Sequence, residues 1–400
     1  MGARKTKAGR GSKASPSGGA DDSESPWIAG PSKWAAKLFS STPWYLFALR
    51  AWLIAMFART LWVTERLWAT HVDPPMLPLA DLPRFDDYGE ILFITYALCF
   101  FWPRAALGVN IVVGLTAMIA DQTRMQPQMF SFWLLMLGTW TQPTAQLLGR
   151  SYLASLWFFS GLHKLLSPEY FRDVAPWMLE AIVPRNDWPA GAGLDQVFGW
   201  TVAAIELVLG LAVLVRRLRP VAAVGGALVH AGILFVLWRQ EWNTSVWAWN
   251  LAIMAAAAGL IGPWKASLAE ERRRCGTQGF VLALLLFASP AMYYVGLLDA
   301  YLSHCLYSAN VPTATMFPAS RAPYGFNVNS DQREYWRNLN VPQPPTHRNF
   351  ELYFRAVALP GDYVVIKDER WCARRGGYSH YAWRYDGKSY DRVELPTLTP

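Results

Sequence analysis

Long apolar runs separated by short polar connections dominate the pattern of this chain. Four runs are apolar over about 20 residues, the length an α-helix needs to cross the hydrocarbon core of a bilayer. Four more are apolar but interrupted by Arg, Asn, Gln or Pro, and a ninth, around 90–102, is short. The continuous runs lie at 194–215, 221–238, 244–262 and 279–297, and the interrupted ones at about 44–63, 105–120, 129–148 and 152–166. Because only helices and closed barrels satisfy their amides in lipid, we expect an all-α polytopic bundle of about nine spans.

The two ends of the chain have a different composition. Residues 1–40 are rich in Gly, Ser, Lys and Arg, which is typical of a disordered tail. Near the C-terminus, short runs of β-type residues and an Asp386-Gly387 turn predict a small β-rich module, with strands expected at 350–354, 362–366 and 378–385. The predicted domains are a basic tail at 1–40, the bundle at 41–300, a Pro-rich connection at 301–345 and the β-rich module at 346–400.

Charge predicts the orientation in the membrane. The net charge is +8, and the basic clusters at 216–219 and 265–274 would fall on the same side as the basic tail if nine spans alternate. Lys and Arg favour cytoplasmic loops, so we expect a plasma or inner membrane protein with a cytoplasmic N-terminus and an extracytoplasmic C-terminus. The 21 Trp residues are also typical of membrane interfaces. The chain has no basic patch interleaved with exposed aromatic residues, so no nucleic-acid partner is predicted.

The most informative polar residues are His163 and Lys164, which lie side by side inside an apolar segment. Ionisable groups at that depth are costly, and for that reason they predict function. Ser160 and Trp157 precede Lys164 by four and seven residues, so the three share one helix face. Because burial disfavours the charged form of a lysine, Lys164 is a candidate base, with His163 beside it.

Further polar residues interrupt later spans. Glu206 and His230 lie near the middle of their spans, and Asn250 follows Trp247 and Trp249. With Trp157 and Ser160 they are candidate substrate-binding residues around an exterior-facing cavity. Each also has a structural interpretation: Lys164 could extend to the headgroups, His163 could be a hydrogen-bond partner, and Glu206, His230 and Asn250 could join helices.

Cysteine and metal-ligand patterns add little chemistry. Cys305 and Cys372 are both expected on the exterior side, and the sequence is equally compatible with a disulfide between them and with two free thiols. We find no spacing of His and Cys residues that predicts a metal site.

The segment Trp157-Phe158-Phe159-Ser160-Gly161-Leu162-His163-Lys164-Leu165 resembles the HTTM membrane domain of the vitamin K-dependent γ-carboxylase family. The order of Glu206, His230 and the stretch from Asn243 to Asn250 is similar too. The resemblance implies that Lys164 is the base that deprotonates a reduced, vitamin K-like quinone, and that the site faces the exterior. DoxX-like and MauE-like membrane proteins carry a similar Gly-x-x-Lys segment, which implies a link to redox partners and quinones.

The sequence therefore predicts an HTTM-like multi-pass membrane protein that binds or oxidises a quinone-like lipophilic molecule. The alternative is a non-catalytic membrane scaffold or a DoxX-like component of a redox complex. A transporter is a third option, which the absence of an evident inverted repeat disfavours. The bilayer is the expected partner, with a lipophilic small molecule as a second; protein partners stay open, and no cofactor is evident beyond the reduced quinone that the resemblance implies.

Overall fold

A computed structural model describes residues 42–188, 193–321, 325–328, 338–368, 370 and 379–395. In that part of the chain, six helical segments are long and apolar enough to cross a membrane. They are Trp44–Val63, Pro103–Ala120, Leu194–Leu214, Arg216–Arg239, Thr244–Ile261 and Leu268–Val295. The tail at 1–40 lies outside the described residues.

The described residues form eleven α-helices. They are α1 (Trp44–Val63), α2 (Tyr88–Leu98), α3 (Pro103–Ala120), α4 (Pro127–Gly138), α5 (Pro143–Leu165), α6 (Ala175–Glu180), α7 (Leu194–Leu214), α8 (Arg219–Arg239), α9 (Trp247–Ala256), α10 (Leu268–Ala288) and α11 (His347–Val357).

The predicted count of nine spans is not confirmed, and the reason lies in three of the helices. α2 has 11 residues, about 17 Å at 1.5 Å per residue, which is shorter than a bilayer core. α4 ends at Gly138 after 12 residues. The helix does not continue into α5, because Gln142 precedes Pro143 and has the extended backbone angles that proline imposes on the residue before it. α5 is 23 residues long but carries Arg150, His163 and Lys164.

The C-terminal segment contacts one end of the helical bundle. Asn340 Nδ2 donates to the carbonyl of Val63 at 2.9 Å, at the end of α1. Lys367 Nζ lies 3.5 Å from Glu169 Oε1, just after α5. Comparable contacts join Gln126 with Pro342, Arg348 with Asp299, and Arg370 with Tyr293. The end of α1, the start of α4 and the ends of α5 and α10 therefore lie together, at what we call the module end.

A cluster of basic and aromatic side chains marks the opposite end. Arg150 Nη1 is 3.4 Å from Glu271 Oε1, and Trp264 Nε1 donates to the same oxygen at 2.7 Å. The Arg219 guanidinium lies over the Trp264 ring, 3.5 Å from its centroid. These contacts join α5 to the start of α8 and α10. The basic clusters at 216–219 and 265–274 belong to this end, whose cytoplasmic location stays a prediction.

Residues from Thr313 onward form a five-stranded antiparallel sheet of order β2-β1-β3-β4-β5. The strands are β1 (Thr313–Phe317), β2 (Phe326–Asn327), β3 (Tyr363–Asp368), β4 (Ser379–Tyr385) and β5 (Tyr390–Glu394). The strands predicted at 362–366 and 378–385 are confirmed as β3 and β4. Gly387 lies in the turn between β4 and β5 with φ +98°. β1 and β2 come from the stretch predicted to be a Pro-rich connection.

The strand predicted at 350–354 is wrong, because this stretch belongs to helix α11. The Thr346 side chain accepts a hydrogen bond from the Asn349 amide at 3.1 Å, which caps the helix. Phe350 and Phe354 are four residues apart and bury one face of α11 in the core of the sheet module. A short run of aromatic residues suits either structure, and here the cap and the i, i+4 spacing favour the helix.

Helices α5 and α7 approach each other at glycines. A Cβ atom at Gly161 would lie 2.5 Å from both the Ala203 carbonyl oxygen and the Leu207 nitrogen. One at Gly210 would lie 2.5 Å from the Phe158 nitrogen. Small residues at such crossings let helix backbones approach closely in membranes. This contact brings the polar residues of α5 and α7 within hydrogen-bonding reach.

Candidate functional site

Lys164 and Glu206 form a buried ion pair between α5 and α7. Lys164 Nζ is 2.6 Å from Glu206 Oε2, and the two side chains are only 3% and 4% exposed. Nζ also donates to Ser160 Oγ at 2.9 Å, one turn earlier on α5, and to the carbonyl of Leu306 at 3.4 Å. An ammonium has three N–H donors, so each donor of Lys164 has an acceptor.

His163 is fully buried in a separate hydrogen-bond network. Its Nε2 lies 2.8 Å from the Ser303 carbonyl, which can only accept, so this nitrogen carries the proton. Its Nδ1 then accepts from the Tyr294 hydroxyl at 2.7 Å, and Asn310 Nδ2 donates to that hydroxyl at 2.9 Å. Both ring nitrogens are thus engaged, and they fix the segment after α10 against the end of α5.

A third network joins α5, α8 and α9. Trp157 Nε1 donates to His230 Nε2 at 3.1 Å, and His230 Nδ1 lies 2.7 Å from Asn250 Oδ1. Because the indole can only donate and the amide oxygen can only accept, His230 is neutral with its proton on Nδ1. Asn250 Nδ2 donates in turn to the Val246 carbonyl at 2.9 Å. The chain of bonds is complete from helix to helix.

The structure therefore places the predicted residues in three separate hydrogen-bond networks rather than around one space. Lys164, Glu206 and Ser160 are in direct contact, whereas Trp157, His230 and Asn250 form their own chain and His163 bonds elsewhere. Their catalytic and substrate-binding roles stay predictions.

A cavity of about 540 Å³ lies at the module end, adjacent to these networks. Its lining includes Leu306, whose carbonyl accepts from Lys164, and Val246, whose carbonyl accepts from Asn250. Lys164, Glu206 and His230 are absent from the described residues that line it. The ion pair thus lies behind the cavity wall.

Aromatic and amide side chains make up much of that lining. Trp242 contacts both Trp177 and Tyr307 edge to face, with ring centroids 5.2 Å and 5.8 Å apart. Asn243 Nδ2 donates to the Tyr307 hydroxyl at 3.0 Å, and Gln126 Nε2 donates to the Pro342 carbonyl at 3.0 Å. The remaining aromatic and amide groups are Trp249, Tyr301, Gln128, Gln240 and Gln343.

Sequence reasoning did not identify this cavity. Its walls come from the start of α4, the segment at 173–177, the turn between α8 and α9, and the segments at 301–311 and 342–345, which no periodic pattern connects. One available signal was the pair Gln126 and Gln128, two amides at the start of an apolar helix. Cys305 also lines the cavity as a free thiol, while Cys372 lies outside the described residues.

A comparison with protein families finds a match over part of the chain. The family model described as methylamine utilisation protein MauE matches residues 142–244 of the 400-residue chain. The matched stretch runs from the start of α5 to the turn before α9 and includes Lys164, Glu206 and His230. No curated protein and no solved structure matches the chain significantly. The match supports the MauE-like resemblance and not the HTTM one.

Together with the apolar helices, the match makes this chain a multi-pass integral membrane protein that is similar to MauE over residues 142–244.

Proposed function

We propose that this protein is a non-catalytic component of a membrane redox complex, which holds its partners at the bilayer through the helical bundle and the C-terminal module. The observation that carries the proposal is the closed environment of Lys164. A general base needs a lone pair aimed at its substrate, but every donor of Lys164 has an acceptor within the protein. The MauE resemblance favours the same class of protein.

The ion pair is then a structural joint between α5 and α7. Removing one partner of a buried pair leaves an uncompensated charge, whereas removing both leaves none. We expect Lys164→Met and Glu206→Gln each to lower the free energy of unfolding by about 3 kcal/mol. The double variant should lose less than the sum of the two changes.

Unfolding of purified protein in detergent, with Lys388→Met as an exposed control, measures this coupling. Additive losses in the double variant would contradict a structural joint between the two residues.

The second candidate is a quinol oxidase-like activity at Lys164, which the cavity favours because Leu306, whose carbonyl accepts from Nζ, also lines it. In this alternative, a movement of that segment gives a reduced quinone access to the amine. The substrate loses two electrons and two protons: Lys164 accepts the protons one at a time and releases each to water, and an electron acceptor of the redox complex takes up the electrons.

Turnover decides between the two candidates. Purified protein is mixed with a reduced naphthoquinone and a soluble electron acceptor, and oxidation is followed by absorbance. If Lys164 is the base, wild type and Lys388→Met oxidise the quinol, while Lys164→Met and Lys164→Arg do not, since a thioether and a guanidinium cannot accept the proton. No turnover by wild type, or full turnover by Lys164→Met, would leave the component role as the function.

A further inference from the structure

The helical segment that contains α10 is longer than a bilayer needs, and it is broken near its start. The segment Leu268–Val295 has 28 residues, which is about 42 Å at 1.5 Å per residue, whereas the hydrocarbon core is about 30 Å thick. Gly276 interrupts the helix with a φ of +69° and a ψ of 170°, and a left-handed φ of this kind favours glycine. Residues 277–295 are long enough to span the core by themselves, which leaves residues 268–275 at its surface.

Exposed apolar side chains show where the hydrocarbon begins at this end of the bundle. Leu285 of α10 and Val221 and Val224 of α8 are each more than half exposed, as expected of positions that face lipid. The basic segments at 216–219 and 265–274 come directly before these helical stretches in the chain. They therefore lie at the level of the lipid headgroups.

Arg219 joins the two basic segments into one surface. Its Nη1 donates to the carbonyl of Trp264 at 3.2 Å and to that of Ala266 at 2.5 Å, so the turn before α8 packs against the start of α10. Arg219 itself is buried, whereas the other basic residues of the two segments are exposed. We call these exposed residues the basic surface, and they are Arg216, Arg217, Lys265, Arg272, Arg273 and Arg274.

The two carboxylates between residues 265 and 274 do little to neutralise the basic surface. Glu271 is 2% exposed and lies 3.4 Å from Arg150 in the interior. Glu270 Oε2 accepts from the Ser267 amide at 2.5 Å in a capping box, which fixes its side chain at the start of α10. Glu270 also interacts with arginines of the surface and offsets one of the six charges at most, so a large positive excess remains.

We propose that the basic surface binds the headgroups of anionic phospholipids. Lysine and arginine side chains near a membrane surface attract acidic lipids, and a guanidinium can bond two phosphate oxygens at once. The lipid-facing residues next to the basic surface supply apolar contacts for the acyl chains of the same molecule, which a soluble anion lacks. The inference goes beyond the proposed role in a redox complex, and it holds whichever side of the membrane the basic surface faces.

Native mass spectrometry of the full chain in a nonionic detergent counts bound lipids and gives their Kd. The probes are dioleoylphosphatidylglycerol, which is anionic, dioleoylphosphatidylcholine, which has the same chains but no net charge, and glycerol phosphate, which has the phosphate without the chains. We expect the first phosphatidylglycerol to bind about fivefold more tightly than phosphatidylcholine, with no competition from glycerol phosphate. A higher concentration of ammonium acetate should reduce the preference, because salt screens exposed charges.

A triple variant that combines Arg272→Gln, Arg273→Gln and Arg274→Gln should lose most of the preference and keep the wild-type affinity for phosphatidylcholine. The corresponding triple lysine variant retains the positive charges and should retain the preference. All six changes are at exposed positions, and the unfolding temperature of each variant checks that it is folded.

The matched control combines Arg66→Gln, Arg185→Gln and Arg239→Gln, which removes three exposed arginines from the module end. This variant should bind both lipids as wild type does. Equal affinity of wild type for the two lipids would overturn the inference, as would a preference that survives in the triple glutamine variant of α10. An equal loss in the control would also overturn it, because overall charge would then explain the preference. Competition by glycerol phosphate would replace the lipid surface with a site for soluble anions.

Discussion

At the scale of single residues, the polar groups inside the bundle mostly satisfy one another. The ammonium of Lys164 has three acceptors, and the two nitrogens of His230 meet one donor and one acceptor. In lipid, an unsatisfied polar group has no water to replace its partner, which explains why such residues occur as complete networks. The exceptions among the described residues of the bundle include Gln128 Oε1, Trp140 Nε1 and Arg219 Nη2, which are buried without a hydrogen-bond partner.

His304 provides a pH-dependent prediction outside the spans. It lies in the turn after α10 with its ring 5.5 Å from that of Tyr152, and burial, aided by repulsion from His163, lowers the pKa of His304 from 6.5 to about 3. Between these values the unfolded chain binds a proton that the folded protein does not, so stability is full above about pH 6.5 and falls as the pH decreases.

We expect this residue to reduce the free energy of unfolding by about 2 kcal/mol at pH 5 relative to pH 8. His304→Asn should flatten that part of the dependence, because Asn does not titrate and tolerates the positive φ of 64°. Thermal unfolding at both pH values tests the prediction, and an unchanged difference in the variant would refute it.

At the scale of elements, the approach of α5 to α7 determines the geometry of the ion pair. Gly161 belongs to the same segment as His163 and Lys164, and its missing side chain leaves room for the backbone of α7. This segment of α5 thus combines a glycine that lets two helices pack closely, Gly161, with a charged residue one turn later, Lys164. Its glycine is explained by packing, whatever the role of the lysine.

Gly161→Ala should therefore destabilise the protein by about 1–3 kcal/mol, since the added Cβ would meet Ala203 and Leu207 backbone atoms and force the helices apart. Gly232→Ala, on α8, is the control because no described atom outside the adjoining backbone of α8 lies within 4 Å of an added Cβ. That change should be neutral or slightly stabilising, as Ala favours helices over Gly. Equal unfolding temperatures for the two variants would argue against the close approach.

At the scale of the whole molecule, charge and contacts divide the bundle into two ends. The module end carries the sheet and the cavity, and the opposite end carries the arginines around Trp264. If Lys and Arg mark the cytoplasmic side, the sheet module is extracytoplasmic.

Reporter fusions test this orientation. A phosphatase that is active only outside should be inactive when fused after Arg219 and active when fused after Pro400, with a cytoplasmic reporter giving the opposite result. The same outcome at both positions would exclude the predicted topology.

The sequence by itself determined the helical membrane fold, since apolar length and the need to satisfy amides leave few alternatives. It also predicted Lys164 and Ser160 on one helix face and the strands near 362–366 and 378–385. Each of these features depends on the spacing of residues within a single segment of the chain, so that segment alone is enough to predict it.

Only the tertiary structure decided which polar residues are partners. Lys164 and Glu206 are 42 residues apart in the chain, and their pairing needs the two helices that carry them to meet at Gly161. The carbonyl of Leu306 and the hydroxyl of Tyr294 belong to segments without any periodic signal. The cavity likewise needs walls from separate loops, and the helical state of Phe350 to Phe354 depended on its cap and on burial against the sheet. Such contacts between distant segments have no local pattern from which they could be predicted.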